Sequence, residues 1–127
     1  MIHSTSIISN KAKIHTSVKI GPYCIVDDNV EIGEGTELIS NVHISGNTSI
    51  GKKNIFFPFS TIGLIPQDKK FKGEESFLNI GHNNTFREHV TINPGTKDGG
   101  METIIKNNCL IMVGSHIAHD CIISSNV

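Results

Sequence analysis

Large apolar side chains recur at every sixth position along most of this chain. Starting from Ile2, the series comprises Ile8, Ile14, Ile20, Val26, Ile32, Leu38, Ile44, Ile50, Phe56, Ile62, Ile80, Phe86 and Ile92, and continues one residue out of phase as Ile105, Ile111, Ile117 and Ile123. Four positions after each of these anchors except Ile62 lies a small or β-branched residue. An α-helix repeats every 3.6 residues, so this period excludes a helix. It predicts short strands that each end at a corner, three strands to a triangular coil.

The whole chain, residues 1–127, is therefore predicted to be one all-β domain, a parallel β-helix of hexapeptide repeats with two inserted loops. Asn and Gly are common between the anchors, where corners require left-handed backbone angles. Coils spaced by about 4.8 Å predict a prism roughly 29 Å long for six coils. The hand of the coil does not follow from the repeat itself, because the general rule for parallel crossovers favours right-handed connections.

Charge and composition narrow the class of protein. Eleven basic and twelve acidic residues nearly cancel, which argues against a nucleic-acid-binding or membrane-surface protein. The N-terminus has no signal-peptide pattern, and no apolar run is long enough to span a bilayer. Cys24, Cys109 and Cys121 all fall in the small inward column, so we expect packing residues rather than disulfides, reactive thiols or metal ligands. A cytoplasmic location is expected.

The repeat is interrupted twice, and interruptions of a regular scaffold are where chemistry is expected. The first interruption, residues 63–79, is polar and places Asp68 and Glu74 at would-be anchor positions. The second, residues 93–104, is rich in Gly and contains Pro94. Both begin from the same column of corners. Plain surface insertions remain the alternative.

Seven histidines lie outside the anchor and small columns, so all are expected at corners or facing outward. Five sit among ordinary polar residues. His116 and His119 differ because Asp120 follows directly, and a carboxylate beside an imidazole is what a general base requires. A surface corner histidine is the simpler alternative. Zinc is a second alternative, although a pair of histidines three residues apart without a third ligand is weak evidence for it.

Several segments together resemble one family of enzymes, the UDP-N-acetylglucosamine 3-O-acyltransferases that open lipid A biosynthesis. The similar segments are IGPYCIV, VEIGEGTEL, IPQDKKFKGE, Arg87–Ile92, the Gly-rich loop and HIAHDC. Hexads alone are nonspecific, but the QDxK loop and HIAHDC in this order are much more specific. The resemblance implies a left-handed β-helix and a homotrimer whose active sites lie between subunits. It also implies no cofactor, since acyl carrier protein delivers the acyl chain.

The resemblance also implies roles for individual residues. His119 is expected to be the general base that deprotonates the sugar 3-hydroxyl, with Asp120 orienting it and His116 lining the same cleft. Substrate contacts are expected from Gln67, Asp68 and Lys70, where Lys70 supplies a positive charge suited to the diphosphate. The excursion that carries these three residues is expected to reach a neighbouring subunit's catalytic face.

Two departures from the family pattern affect these expectations. Asn93 stands where many members have histidine, so a polar cleft contact is altered and the acceptor becomes less certain. The chain also stops inside the repeat, whereas family members continue with further coils and a helical region. We therefore expect a truncated protein that is weakly active or inactive alone and prone to associate. An N-acyltransferase for a 3-amino UDP-sugar and a catalytically silent trimeric scaffold remain alternatives.

Overall fold

Hydrogen bonds between parallel strands of successive coils build this fold. The computed structural model describes residues 1–127 as a stack of triangular coils made of seventeen short strands and no helix. Partner strands lie eighteen residues apart where the repeat is regular, as in the pairing of Ile7 with Ile25. The three faces of the prism are three parallel sheets. The sequence prediction of a parallel β-helix is confirmed.

Each sheet takes every third strand of the chain. Sheet 1 contains β1 (Ile7–Ile8), β4 (Ile25–Val26), β7 (His43–Ile44), β10 (Thr61–Ile62), β13 (Thr91–Ile92) and β16 (His116–Ile117). Sheet 2 contains β2 (Lys13–Ile14), β5 (Glu31–Ile32), β8 (Asn47–Ile50), β11 (Phe77–Ile80), β14 (Glu102–Ile105) and β17 (Ile122–Ile123). Sheet 3 contains β3 (Lys19–Ile20), β6 (Glu37–Leu38), β9 (Ile55–Phe56), β12 (Thr85–Phe86) and β15 (Leu110–Ile111).

The core is the column of anchors that the periodicity predicts. Anchors from Ile20 to Ile117 are all buried, while Ile8, Ile14 and Ile123 near the two ends are partly covered. Phe56 and Phe86 stack inside the prism with ring centroids 4.6 Å apart. Cys24 and Cys109 are buried free thiols and Cys121 is partly buried, which agrees with their predicted packing role. Burial raises the pKa of the Cys24 thiol above its usual value.

A ladder of buried amides runs along one inner corner. The Asn54 side chain donates to the Gly81 carbonyl at 2.9 Å and accepts from the Asn84 backbone N–H at 3.0 Å. Asn84 repeats both bonds one coil further on, to Lys106 at 2.8 Å and from Cys109 at 2.8 Å. Each side chain therefore joins two coils and satisfies backbone groups that the turn leaves unpaired.

Both interruptions end earlier than the sequence suggested. The first ends at Ser76 rather than Asn79, and the second at Met101 rather than Ile104. The cause is that sheet 2 contains longer strands at these coils, in which Phe77–Asn79 pair with Asn47–Ser49 and with Glu102–Ile104. Anchors at every sixth residue mark one inward position of each strand, so they do not show that these strands begin two residues earlier than the others. No helix that could cross a membrane is present.

Replacing the buried ring of Phe56 tests the inward column. We expect Phe56→Ala to lower the free energy of unfolding by about 3–5 kcal/mol, because it leaves a cavity beside Phe86. The neighbouring Ile55 points outward, so Ile55→Ala is the matched control and is expected to cost about 1 kcal/mol or less. Urea unfolding of both variants measures the difference. Equal losses would contradict the assigned inward and outward faces.

Candidate active site

One corner of the prism carries both interruptions and the HIAHDC segment. Residues 63–76 connect β10 to β11, residues 93–101 connect β13 to β14, and residues 118–121 connect β16 to β17. All three connections run from sheet 1 to sheet 2 in consecutive coils. Parallel stacking therefore brings three segments that are far apart in sequence to one place.

His119 and Asp120 contact each other directly at this corner. The His119 Nδ1 atom lies 2.8 Å from Asp120 Oδ2, and about a third of the His119 side chain is exposed. Neighbouring residues of an extended strand point to opposite faces. The contact is possible here because Asp120 adopts a left-handed backbone angle, with φ of 65°. With an ionised Asp120, Nδ1 carries the proton and the Nε2 lone pair is free to accept another.

Three further contacts hold Asp120. Thr96 donates its backbone N–H to Oδ1 at 2.7 Å and its hydroxyl to Oδ2 at 2.5 Å. The Asp120 backbone N–H donates to the Thr103 hydroxyl at 2.9 Å. Partial burial acts to raise the pKa of Asp120, but the hydrogen bonds from the Thr96 side chain, from His119 and from the Thr96 backbone together lower it below the usual value. The carboxylate is therefore held in its charged form.

Gly99 covers the Asp120 carboxylate closely. A Cβ atom at position 99 would lie 2.0 Å from Asp120 Oδ2, too close for any side chain unless the carboxylate moved. The Gly-rich composition of the second loop thus has a local cause. Only glycine lets the loop approach an aspartate that three donors already hold in place.

The dyad borders an open depression of about 360 Å³. Its lining consists of Asp68, Lys70, Thr96, Asp98, Gly99, His119 and Asp120. Asp68 and Lys70 come from the first excursion, where the Lys70 backbone N–H donates to Asp68 Oδ1 at 3.0 Å. The single chain thus brings Lys70 to the same depression as its own His119. A cation beside a general base suits an anionic substrate that carries a hydroxyl group.

Three of the residues proposed from the sequence do not line this depression. Gln67 is exposed on the first excursion. His116 faces outward from β16, where its Nδ1 atom lies 2.7 Å from the Thr91 hydroxyl. Asn93 is only 6% exposed and donates to the Leu64 carbonyl at 3.1 Å, so its amide ties the two loops together where a substrate contact was expected. Its Oδ1 atom is buried without a partner.

Thr96, Gly99 and Thr103 are the site residues that sequence analysis missed. The second interruption was recognised as a loop, but a threonine in a Gly-rich loop carries no signal for an aspartate 24 residues later. The seven histidines, by contrast, are exposed or partly exposed as expected. No group of three or more His, Cys, Asp or Glu side chains of this chain lies close enough together to hold a metal ion.

Comparisons with known proteins agree with this geometry. No protein-family model matches the chain. The acyl-[acyl-carrier-protein]–UDP-N-acetylglucosamine O-acyltransferase of Thermodesulfovibrio yellowstonii is 53% identical over 126 residues, which is 99% of this chain and 49% of that protein. The protein of the same name from Psychrobacter is 51% identical over 122 residues, covering 96% of this chain and 47% of the relative. The chain thus spans about half the length of these curated relatives.

Solved structures give the same result for the fold. LpxA from Acinetobacter baumannii matches with a TM-score of 0.96 at 48% identity, covering 98% of this chain and 48% of the solved one. The UDP-N-acetylglucosamine acyltransferase of Francisella novicida matches with a TM-score of 0.96 at 46% identity. The match covers 98% of this chain and 46% of the solved one. The chain is thus a left-handed parallel β-helix of the hexapeptide-repeat class, with the hand that the resemblance implied. Within that class it belongs to the UDP-N-acetylglucosamine O-acyltransferase family.

The lowered pKa of Asp120 predicts a pH-dependent contribution to stability. A carboxyl whose pKa is lower in the folded than in the unfolded state stabilises the fold above its unfolded pKa of about 3.9, and this contribution disappears as the pH falls through the folded value. We expect Asp120→Asn to be less stable than the wild type at pH 7, and the difference to shrink below about pH 4. Urea unfolding across this range measures it.

The exposed Asp98 of the same depression provides the control. Asp98→Asn is expected to change stability less than Asp120→Asn at pH 7. A difference for Asp120→Asn that stays constant from pH 7 to pH 3 would contradict the charged, hydrogen-bonded role of this carboxylate.

Proposed function

We propose that the protein transfers a 3-hydroxyacyl chain from acyl carrier protein to the 3-hydroxyl of UDP-N-acetylglucosamine, the first step of lipid A biosynthesis. The observation that carries the proposal is the contact between His119 Nδ1 and Asp120 Oδ2 at the edge of the depression. Relatives that are about half identical over nearly the whole chain support it, because they are named for this reaction.

The proposed chemistry begins at the free nitrogen of His119. Nε2 removes the proton from the sugar 3-hydroxyl as its oxygen attacks the thioester carbonyl carbon of the donor. The tetrahedral intermediate then collapses, the carbon–sulfur bond breaks, and the imidazolium returns the proton to the departing thiolate of acyl carrier protein. Asp120 stays ionised throughout and stabilises the imidazolium that forms between the two steps.

The first excursion supplies the proposed substrate contacts. Lys70 is exposed at the depression and offers its ammonium group to the negatively charged diphosphate of the nucleotide sugar. Asp68 lies in the same lining and can accept hydrogen bonds from sugar hydroxyls. Gln67, which is exposed beside them, can contact the substrate without moving the coil.

Removing the proposed base tests the function directly. We expect His119→Ala to lower kcat for acyl transfer by about 10²–10⁴-fold, the usual contribution of a positioned general base. The assay follows transfer from 3-hydroxyacyl-carrier protein to UDP-N-acetylglucosamine with the protein purified from its own source. His15→Ala is the control, because His15 is an exposed corner histidine whose ring hydrogen-bonds only to Ser17 in its own turn.

Two results would reject the proposal. One is an activity of His119→Ala equal to that of His15→Ala, and the other is absence of transfer by the wild-type protein with this donor and acceptor. Biological activity that survives His119→Ala would instead support the catalytically silent scaffold. Preferred transfer to a 3-amino UDP-sugar would support N-acylation.

We also propose a homotrimer in which a neighbouring subunit completes the active site. The corner between sheets 3 and 1 supports association, because four apolar residues there are exposed, namely Tyr23, Phe59, Met112 and Val113. Exposed apolar patches on soluble proteins commonly mark interfaces. The depression beside His119 is open to solvent, which leaves room for residues of a second subunit. The cytoplasmic location expected from the sequence stays a prediction.

Native mass spectrometry of the purified protein tests the assembly. We expect a mass three times that of the subunit, and Phe59→Asn is expected to raise the concentration needed for assembly about tenfold or more. Asparagine tolerates the left-handed angle that Phe59 adopts, so the turn itself is kept. Lys53→Asn makes the same change at a left-handed position of a different corner and serves as the control. A wild-type monomer would contradict the trimer.

A further inference from the structure

We propose that Thr96 is a positioning residue for catalysis, acting through Asp120 on the orientation and tautomer of His119. The inference deepens the proposed function and rests on it, since it takes His119 as the general base. Thr96 lies in the loop between β13 and β14, whereas the dyad lies in the turn after β16. The contact therefore joins two consecutive coils at the same corner of the prism.

The hydrogen bonds of Thr96 fix the plane of the carboxylate. Its backbone N–H bonds to Oδ1 and its hydroxyl to Oδ2, so each oxygen of Asp120 has one donor from the same residue. Oδ2 also accepts from His119 Nδ1. A carboxylate held at both oxygens by one residue cannot rotate without breaking a bond. The acceptor for the imidazole N–H is thus fixed in space.

Thr96 is itself held firmly enough to act as a support. It is 5% exposed, so water cannot readily replace its hydroxyl at the carboxylate. Its carbonyl oxygen accepts from the Met101 N–H at 2.6 Å and from the Gly99 N–H at 3.2 Å, which closes the loop around the residue. Gly99 then lies against Oδ2 from another side. The loop therefore surrounds the Asp120 carboxylate with contacts from Thr96 and Gly99.

The backbone of Asp120 is held independently of Thr96. Its N–H bonds to Thr103, and its left-handed angle is set by the turn. Loss of the Thr96 hydroxyl would therefore leave the turn in place while releasing the carboxylate at the oxygen that faces His119. Without a fixed acceptor at Nδ1, the His119 ring can populate the opposite tautomer, in which Nε2 carries the proton and cannot act as a base.

The first experiment observes the His119 tautomer by ¹⁵N NMR of the isotope-labelled full-length protein and does not depend on turnover. We expect the wild type to show the Nδ1–H tautomer, Thr96→Val to show a mixture of tautomers, and Thr96→Ser to keep the wild-type signature. Thr96→Ala is a second variant without the hydroxyl, in case valine does not fit. Thr85→Val, an outward threonine on β12, is the control.

The second experiment measures kinetics with the protein from its own source. We expect Thr96→Val to lower kcat by about 10- to 100-fold with little change in KM, as a small misplacement of a catalytic group does, and Thr96→Ser to recover most of the loss. An unchanged tautomer in both Thr96→Val and Thr96→Ala would overturn the inference, and so would a defect confined to KM. If His119→Ala leaves transfer intact, the proposed function fails, whereas the tautomer experiment still reports on Thr96.

Discussion

Parallel pairing between each coil and the next is the constraint on which the rest of this structure depends. Every strand contributes only two to four residues, too few to be stable alone, so each coil requires the strands above and below it. The pairing fixes the alternation in which one residue of each strand packs inward and its neighbour faces out. It also forces equivalent corners of successive coils to stack. The buried amides of Asn54 and Asn84 add to the same coupling, because each bonds across two coils.

The candidate active site follows from that stacking. A regular repeat presents a flat face and a plain corner, neither of which encloses a substrate. Two longer connections on the corner between sheets 1 and 2 change this, one bringing Lys70 and the other Thr96 to the turn that carries His119. The stacked coils fix the position of the turn that carries His119, and the two longer connections place their side chains around that turn. The division resembles that of enzymes in which a rigid framework carries variable loops.

The sequence predicts the fold far better than it predicts the contacts within the site. Inward residues such as Leu38 and Ile92 belong to a period that is visible in the chain, and both are fully buried. His119 and Asp120 are found because they are adjacent and fit a chemical role. Sequence analysis does not find Thr96, because its partner Asp120 lies a full coil away. The hydrogen bond from the Thr96 hydroxyl also depends on the left-handed backbone angle of Asp120. Asn93 shows the same limit, because only the folded structure reveals that its side-chain amide donates a hydrogen bond to the Leu64 carbonyl. The hydrophobic period predicts which residues are buried. Contacts between loops depend on how the loops are placed in three dimensions, which the period does not show.

The two interruptions also have a thermodynamic consequence. In the regular repeat, paired strands close a loop of eighteen residues, as between Ile7 and Ile25. The first interruption lengthens this to thirty between Asn47 and Phe77, and the second to twenty-five between Phe77 and Glu102. Because closure entropy grows only with the logarithm of length, the added penalties are about 0.5 and 0.3 kcal/mol. A solenoid of this kind can therefore acquire a catalytic loop at a corner for less free energy than one buried methyl group contributes.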